Sequence, residues 1–253
     1  MLEISVDQRV ATVTLSRPPV NAINKAWIDT FHRVLDGLSS RADWCVLVIR
    51  SSQHVFCAGA DLAQIRGRFA EATGAEAIRD DTEQFQRLFA RIEALAQVTI
   101  AEIGGAALGG GLELALACDL RIAARDASLG LPEARLGLIP GAGGTQRLTS
   151  LAGRGVASRL ILCGEIIDGA SAAALGIVQW AEDVAVLRQR SAEIAASISR
   201  LAPAALAASK ACIAAFGDQR RDGYSEELDA TKALFGHADT RERITAFLAA
   251  RGK

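Results

Sequence analysis

The chain has 253 residues, half of them apolar, with 28 basic and 29 acidic side chains and a net charge of −1. That length can bury the core of one large domain, or of one domain with a helical appendage. The near-neutral balance removes the electrostatic reason to expect nucleic acid or an anionic membrane as a partner. In chain order, residues 10–15 alternate Ala11, Val13 and Leu15 with Thr12 and Thr14, the period of a half-buried strand, and residues 2–6 read as its hairpin partner. Asn24 stands before a helix whose Trp27, Phe31, Val34, Leu35 and Leu38 share one face, and residues 45–49 follow as a strand buried on both sides. Strand, helix and strand in short succession indicate an α/β layered core.

Residues 56–62, F-C-A-G-A-D-L, form a small-residue turn leading into a short helical stretch, whose plain reading is a tight turn capped by Asp61. Residues 66–80 are rich in alanine and charge, carry Gly67 and Gly74 and show little apolar periodicity; they are expected to be a mobile connection. The pattern resumes at Phe85, Leu88, Phe89, Ile92 and Leu95, an amphipathic helix, and residues 99–103 form a strand.

That strand feeds Gly109, Gly110 and Gly111, which precede a helix-like run over residues 112–118. Glycines let backbone approach a ligand closely, and a helix start offers unpaired N–H groups, so such a turn can hold an oxyanion. Glu113 falls in the first helical turn. Glu133 follows Pro132 on a separate element, after expected strands at 120–124 and 128–131. Two carboxyls in apolar settings suit a base and an acid. Each also has a plainer reading, as a complement to a helix dipole or as the opening of a short helix. Two nucleotide motifs fail on spacing: Gln146 stands where a dinucleotide fingerprint in residues 141–146 needs its third glycine, and residues 104–111 lack the Lys-Ser/Thr of a P-loop.

Helical stretches are expected at 145–152 and 155–162, then a turn, a short helix and a strand over 164–180. From Val184 onward the chain reads as almost wholly helical, with Pro203 at a first turn. These alanine-rich helices are too poor in large apolar residues for an independent core and should pack against the rest of the chain or a neighbouring subunit. Cys45, Cys57, Cys118, Cys163 and Cys212 lack a C-x-x-C pair and read as small reduced core residues, and His32, His54 and His237 show no metal spacing, so no metal is expected. The N-terminus lacks a signal-peptide pattern, and the longest uncharged run, residues 169–181, falls short of the ~20 residues that span a bilayer; a soluble, cytoplasmic protein without membrane attachment is expected.

The two glycine-rich blocks in residues 104–148, with F-C-A-G-A-D-L at 56–62 and V-N-A-I-N at 20–24, resemble the crotonase superfamily, and the presence of both glutamates resembles its enoyl-CoA hydratases. The resemblance implies a spiral core of repeated strand-strand-helix units over residues 1–183 and a helical oligomerisation region over 184–253, assembled as a homotrimer or a hexamer of two trimers. It implies reversible hydration of a trans-2-enoyl-CoA, with Glu113 and Glu133 catalytic, the Ala60 and Gly110 N–H groups as oxyanion hole, and Ala58, Ala60, Asp61, Leu62, Ala63 and Gly110 contacting the CoA thioester. CoA belongs to the substrate, and no separate cofactor is expected. Leu131 departs from the pattern, because related hydratases frequently carry Gln there. The alternatives are a relative that isomerises, hydrolyses a thioester or cleaves a carbon–carbon bond with the same oxyanion hole, and a non-catalytic acyl-CoA- or RNA-binding protein.

Overall fold

The structure is a computed structural model describing residues 1–251. It opens with β1 (Leu2–Asp7) and β2 (Val10–Leu15), an antiparallel hairpin with Ile4 opposite Val13. The two turn residues, Gln8 and Arg9, both have positive φ, the conformation that matches a two-residue turn to strand twist. Arg9 is tied down by donating from Nη1 to the Ser199 carbonyl at 3.1 Å. Helix α1 (Lys25–Ser39) starts at Asn24, whose side chain accepts from the Trp27 N–H, and it buries Trp27, Ile28, Phe31, Val34, Leu35 and Leu38. Strand β3 (Val46–Ser51) follows, then α2 (Leu62–Arg68), α3 (Gly74–Glu93), β4 (Val98–Ile103), β5 (Ala107–Leu108) and α4 (Gly110–Leu116).

The chain continues through β6 (Leu120–Ala124), β7 (Ser128–Gly130) and a single 3₁₀ turn (Glu133–Leu136) to α5 (Gly144–Leu162). Next come β8 (Ile166–Asp168), α6 (Gly169–Ala174), β9 (Trp180–Glu182) and four helices, α7 (Val184–Ser199), α8 (Pro203–Ala215), α9 (Gly223–Phe235) and α10 (Ala238–Arg251). One sheet runs β1-β2-β3-β4-β6-β9, parallel throughout except for the first hairpin; the other, β5-β7-β8, joins β5 to β7 in parallel and β7 to β8 antiparallel. Every residue of β4 is buried, as expected of a central parallel strand covered on both faces.

Residues 66–80 do not form the expected loose connection. Helix α2 runs to Arg68 and α3 begins at Gly74, so only residues 69–73 lie between two helices. Alanine and long charged side chains favour helix even where no apolar stripe shows. The Arg68 guanidinium fixes the corner, pairing with Glu71 at 3.0 Å and with Asp81 at 2.8 Å. The expected pair of helices before Leu162 is present as the two halves of α5, which meet at a kink at Gly153, whose φ of 81° and ψ of 160° leave the helical region. Of the five cysteines expected in the core, Cys45, Cys57 and Cys118 are buried, but Cys163, just past the end of α5, is exposed and Cys212 is half-buried. Strand β8 has no counterpart in the sequence reading, because three residues are too few to show a period.

Helix α7 lies on the main sheet, with Leu187, Ile194 and Ala195 in the hydrophobic core, whereas α9 and α10 bury no residue. Lys210 of α8 reaches across to the Asp119 carboxylate at 2.8 Å and the Gln97 carbonyl at 3.1 Å, fastening that helix to the ends of β4 and β6. Among the described residues no single helix is long and apolar enough to cross a membrane.

Candidate active site

The site forms where the 56–62 loop meets the glycine turn before α4. A bridge between Cys57 and Ala107 aligns the two segments, and a second between Ile23 and Ala60 brings in the 20–24 segment. Asn21 locks this junction. It is fully buried with φ of 52°, and its side chain donates to the Ser51 hydroxyl and to the Phe56 carbonyl while accepting from the Arg17 N–H. Arg17 in turn pairs with Asp61 at 2.8 Å, and Asp61 caps α2 by accepting from the Ala63 N–H. The Arg17 guanidinium holds the Asp61 carboxyl below the usual carboxylate range.

The amides around this junction divide into two groups. Those of Ala58, Asp61 and Ala63 are spent inside the protein, on the Val20 carbonyl, the Ile23 carbonyl and the Asp61 side chain. Those of Ala60 and Gly110 donate to no described acceptor. They lie side by side: a Cβ added at Gly110 would sit 3.5 Å from the Ala60 nitrogen and 3.4 Å from the Gly59 Cα. Gly111 must be glycine, because its Cβ would fall 2.0 Å from the Cys57 carbonyl oxygen. Of the residues expected to contact CoA, Ala58, Leu62 and Ala63 are exposed, Ala60 and Asp61 half-buried and Gly110 buried. Ile23, Ala60, Ile65, Ile78, Thr82 and Phe85 line an adjoining cavity between the 56–62 loop, α2 and α3.

Each glutamate side chain meets a glycine-rich turn. Glu113, 3% exposed on the first turn of α4, accepts through Oε1 from the Ala142 and Gly144 N–H groups, each at 2.8 Å. Glu133 opens the 3₁₀ turn after Pro132, and its Oε1 would stand 2.9 Å from a Cβ on Gly109. Its Oε2 is buried without a hydrogen-bond partner among the described residues. Such an atom is costly to bury unless something polar meets it. Burial pushes the Glu113 carboxyl up to about 7; the nearby Glu133 adds to the rise, and the Gly144 and Ala142 amides and the Arg147 cation oppose it. Burial also raises Glu133. The structure therefore brings two carboxyls of raised proton affinity close to two amides that have no acceptor among the described residues, one of which, Ala60, lines the adjoining cavity.

One part of this site escapes the sequence reading. The turn at 140–144 holds Glu113, yet its Gly-Ala-Gly-Gly invites only the nucleotide comparison; the usable signal is that a glycine-rich turn before a helix supplies amides to any carboxylate, including one of the protein's own. Leu131, at the departure from the family pattern, is fully buried and apolar, and gives Glu133 no polar neighbour. Among the described residues no group of three His, Cys, Asp or Glu side chains could hold a metal ion.

A family model described as enoyl-CoA hydratase/isomerase matches residues 5–252. The 2,3-dehydroadipyl-CoA hydratase of Escherichia coli K12 is 35% identical over 252 residues, covering 99% of this chain and 96% of the relative. The crotonyl-CoA hydratase of Syntrophomonas wolfei is 35% identical over 253 residues, covering 97% of this chain and 94% of the relative. Among solved structures, the enoyl-CoA hydratase from Bacillus anthracis superposes with a TM-score of 0.90 at 34% identity, covering 98% of this chain and 96% of that one. With sequence and fold both matching over nearly the whole length, this chain belongs to the enoyl-CoA hydratase/isomerase family and has the crotonase fold.

Proposed function

We propose that the protein is an enoyl-CoA hydratase, adding water reversibly across a trans-2-enoyl-CoA to give the 3-hydroxyacyl-CoA. The observation that carries this reading is the pairing of two raised carboxyls beside two unpaired amides. Water is a weak nucleophile and the intermediate is an enolate, so the reaction needs carbonyl polarisation, water activation and a proton source together. The Ala60 and Gly110 N–H groups take the thioester oxygen, each contributing about 3 kcal/mol as negative charge develops there. Glu113, fixed through Oε1, accepts a proton from water as the water oxygen bonds to the β-carbon. Glu133 delivers a proton to the α-carbon as the enolate collapses. CoA arrives and leaves as part of the substrate.

The test is product identification after incubation with trans-2-enoyl-CoA thioesters of graded chain length in deuterated, oxygen-18-labelled water. The expected product carries one deuterium at the α-carbon and solvent oxygen at the β-carbon. A positional isomer without solvent oxygen would reassign the chain to isomerisation, release of free CoA to thioester hydrolysis, and salt-sensitive RNA retention without turnover to a binding role.

We also infer that the region from residue 184 to the C-terminus joins subunits into a trimer or a pair of trimers. Supporting this, α8 to α10 leave Ile213, Phe216, Phe235 and Leu248 exposed at 74%, 93%, 77% and 64%. Apolar area of that kind on one end of a chain marks an association surface. Light scattering that finds a stable monomer at micromolar concentration rules this assembly out.

A further inference from the structure

We propose that Arg147 is a positioning residue for Glu113, holding the 140–144 turn so that its two amides stay aimed at the Glu113 carboxylate. The inference rests on the reading of Glu113 as the group that activates water.

The Glu113 carboxylate is held by the 140–144 turn, which side chains tie to α3: Gln86 Nε2 donates to the Gly141 carbonyl at 2.6 Å, and Arg147 makes the second tie. The Ala142 and Gly144 N–H groups both point at Glu113 Oε1, at 2.8 Å each. Between them lies Gly143 with φ of 103°, a conformation that favours glycine and that sets the direction of both amides. Arg147 closes it. One arm, Nη1, donates to the Ala142 carbonyl at 3.0 Å, on the same residue whose N–H holds Glu113. Nε and Nη2 donate to the Glu93 carboxylate at 3.2 and 2.9 Å, at the C-terminal end of α3. The guanidinium fork therefore spans from a helix to the turn, a geometry that a single compact ammonium cannot reproduce.

The packing gives the guanidinium little freedom. A Cβ at Gly143 would stand 2.2 Å from Arg147 Nη1, so glycine at 143 is what lets the fork lie flat against the turn. The Arg147 side chain is 14% exposed although charged. It sits near the N-terminus of α5, where the helix dipole disfavours a cation, and Glu93 with the Ala142 carbonyl offsets that penalty. The charged groups acting on Glu113 are Glu133 and Arg147, of opposite effect, and Arg147 favours the ionised carboxylate that a base must present. A helix-to-turn brace that only stabilised the fold would leave that balance untouched.

The experiment compares Arg147→Met and Arg147→Lys with the unaltered enzyme in the full chain, following kcat and KM against pH and, separately, the infrared titration of the Glu113 carboxyl, assigned through its loss in Glu113→Gln. In Arg147→Met the expected results are a kcat lower by about 10- to 100-fold with KM little changed, and an acid limb and carboxyl titration both moved to higher pH. Arg147→Lys should recover most of the pH displacement, because charge is kept, and only part of kcat, because the fork is lost. Should the methionine variant fail to fold, the lysine variant decides by its loss of kcat at constant KM. An acid limb and a Glu113 titration that stay in place in Arg147→Met overturn the proposal, as does full kcat in Arg147→Lys. If the unaltered chain hydrates no enoyl-CoA, the reaction assignment fails while the infrared titration still judges Arg147.

Discussion

A Cβ at Gly109 would stand 2.9 Å from Glu133 Oε1, so the turn that exposes the Gly110 amide also sets how close the second carboxyl can come. Gly109 has φ of 52° and ψ of −126°, a backbone state that any side chain strains. Gly109→Ala should therefore cost about 1–3 kcal/mol of stability and displace Glu133. The expected turnover falls by about 100-fold, because a carboxyl moved by an ångström misses the α-carbon. Denaturant unfolding and steady-state kinetics on the same preparation check both; unchanged turnover would place Glu133 outside the reaction.

Asn21 supports the opposite wall. Its buried carboxamide satisfies the Phe56 carbonyl, the Ser51 hydroxyl and the Arg17 N–H, and Asn21→Ala removes the side-chain partner of the first and last, while the Ser51 hydroxyl keeps the Gln53 N–H at 2.8 Å. We expect a loss of about 2–4 kcal/mol in unfolding free energy, at the upper end of single-residue effects. Activity at a temperature where the variant is folded should drop as well, since the Phe56 contact anchors the start of the loop that carries the Ala60 amide. Full activity in the folded variant would mean that the loop is set by Arg17 and Asp61 alone.

Much of the framework is legible in the sequence because its signals are local. The Asn24 cap, the six-residue alternation of β2 and the apolar face of α1 each lie within one turn or one strand of their cause. Glu113 and Glu133 stand out because glycine and proline flank them. What stays hidden is carried by partners far apart in the chain. Residues 66–80 show no stripe, and their order comes from Arg68 meeting Asp81 across a helix corner. The brace on Glu113 needs Glu93, Ala142 and Arg147 to meet, and no spacing rule connects α3 with the start of α5.

The pH dependence follows from the sign of the Glu113 shift. Burial raises its carboxyl from 4.5 to about 7 in the folded protein, so the folded state holds a proton that the unfolded chain has lost between those values. Its contribution to stability is fully present below 4.5 and is lost as pH rises through about 7. Glu113→Gln keeps an acceptor for the Ala142 and Gly144 amides and removes the charge. It should flatten the stability profile in that window and be more stable than the unaltered protein at pH 8, by on the order of 1–3 kcal/mol. Catalysis runs the other way: kcat/KM should fall as pH drops through about 7, because the base must be ionised. Chemical unfolding at pH 4.5 and pH 8 tests the first expectation, and a pH–rate profile the second.

The two carboxyls should fail together. Glu113→Gln and Glu133→Gln each preserve size and remove a titratable group, and each should lower turnover by about 10² to 10⁴ while leaving CoA-thioester affinity largely intact. If both act on one water and one enolate, the second substitution removes little that the first has not, so the double variant should resemble the weaker single variant rather than the product of the two losses. Exchange of the α-proton with solvent separates their parts. Glu113→Gln should retain slow exchange in the hydrated product, because Glu133 still reaches the α-carbon, whereas Glu133→Gln should abolish it. Strictly multiplicative losses would show that the carboxyls serve separate steps, and exchange surviving in Glu133→Gln would give the α-proton to another group.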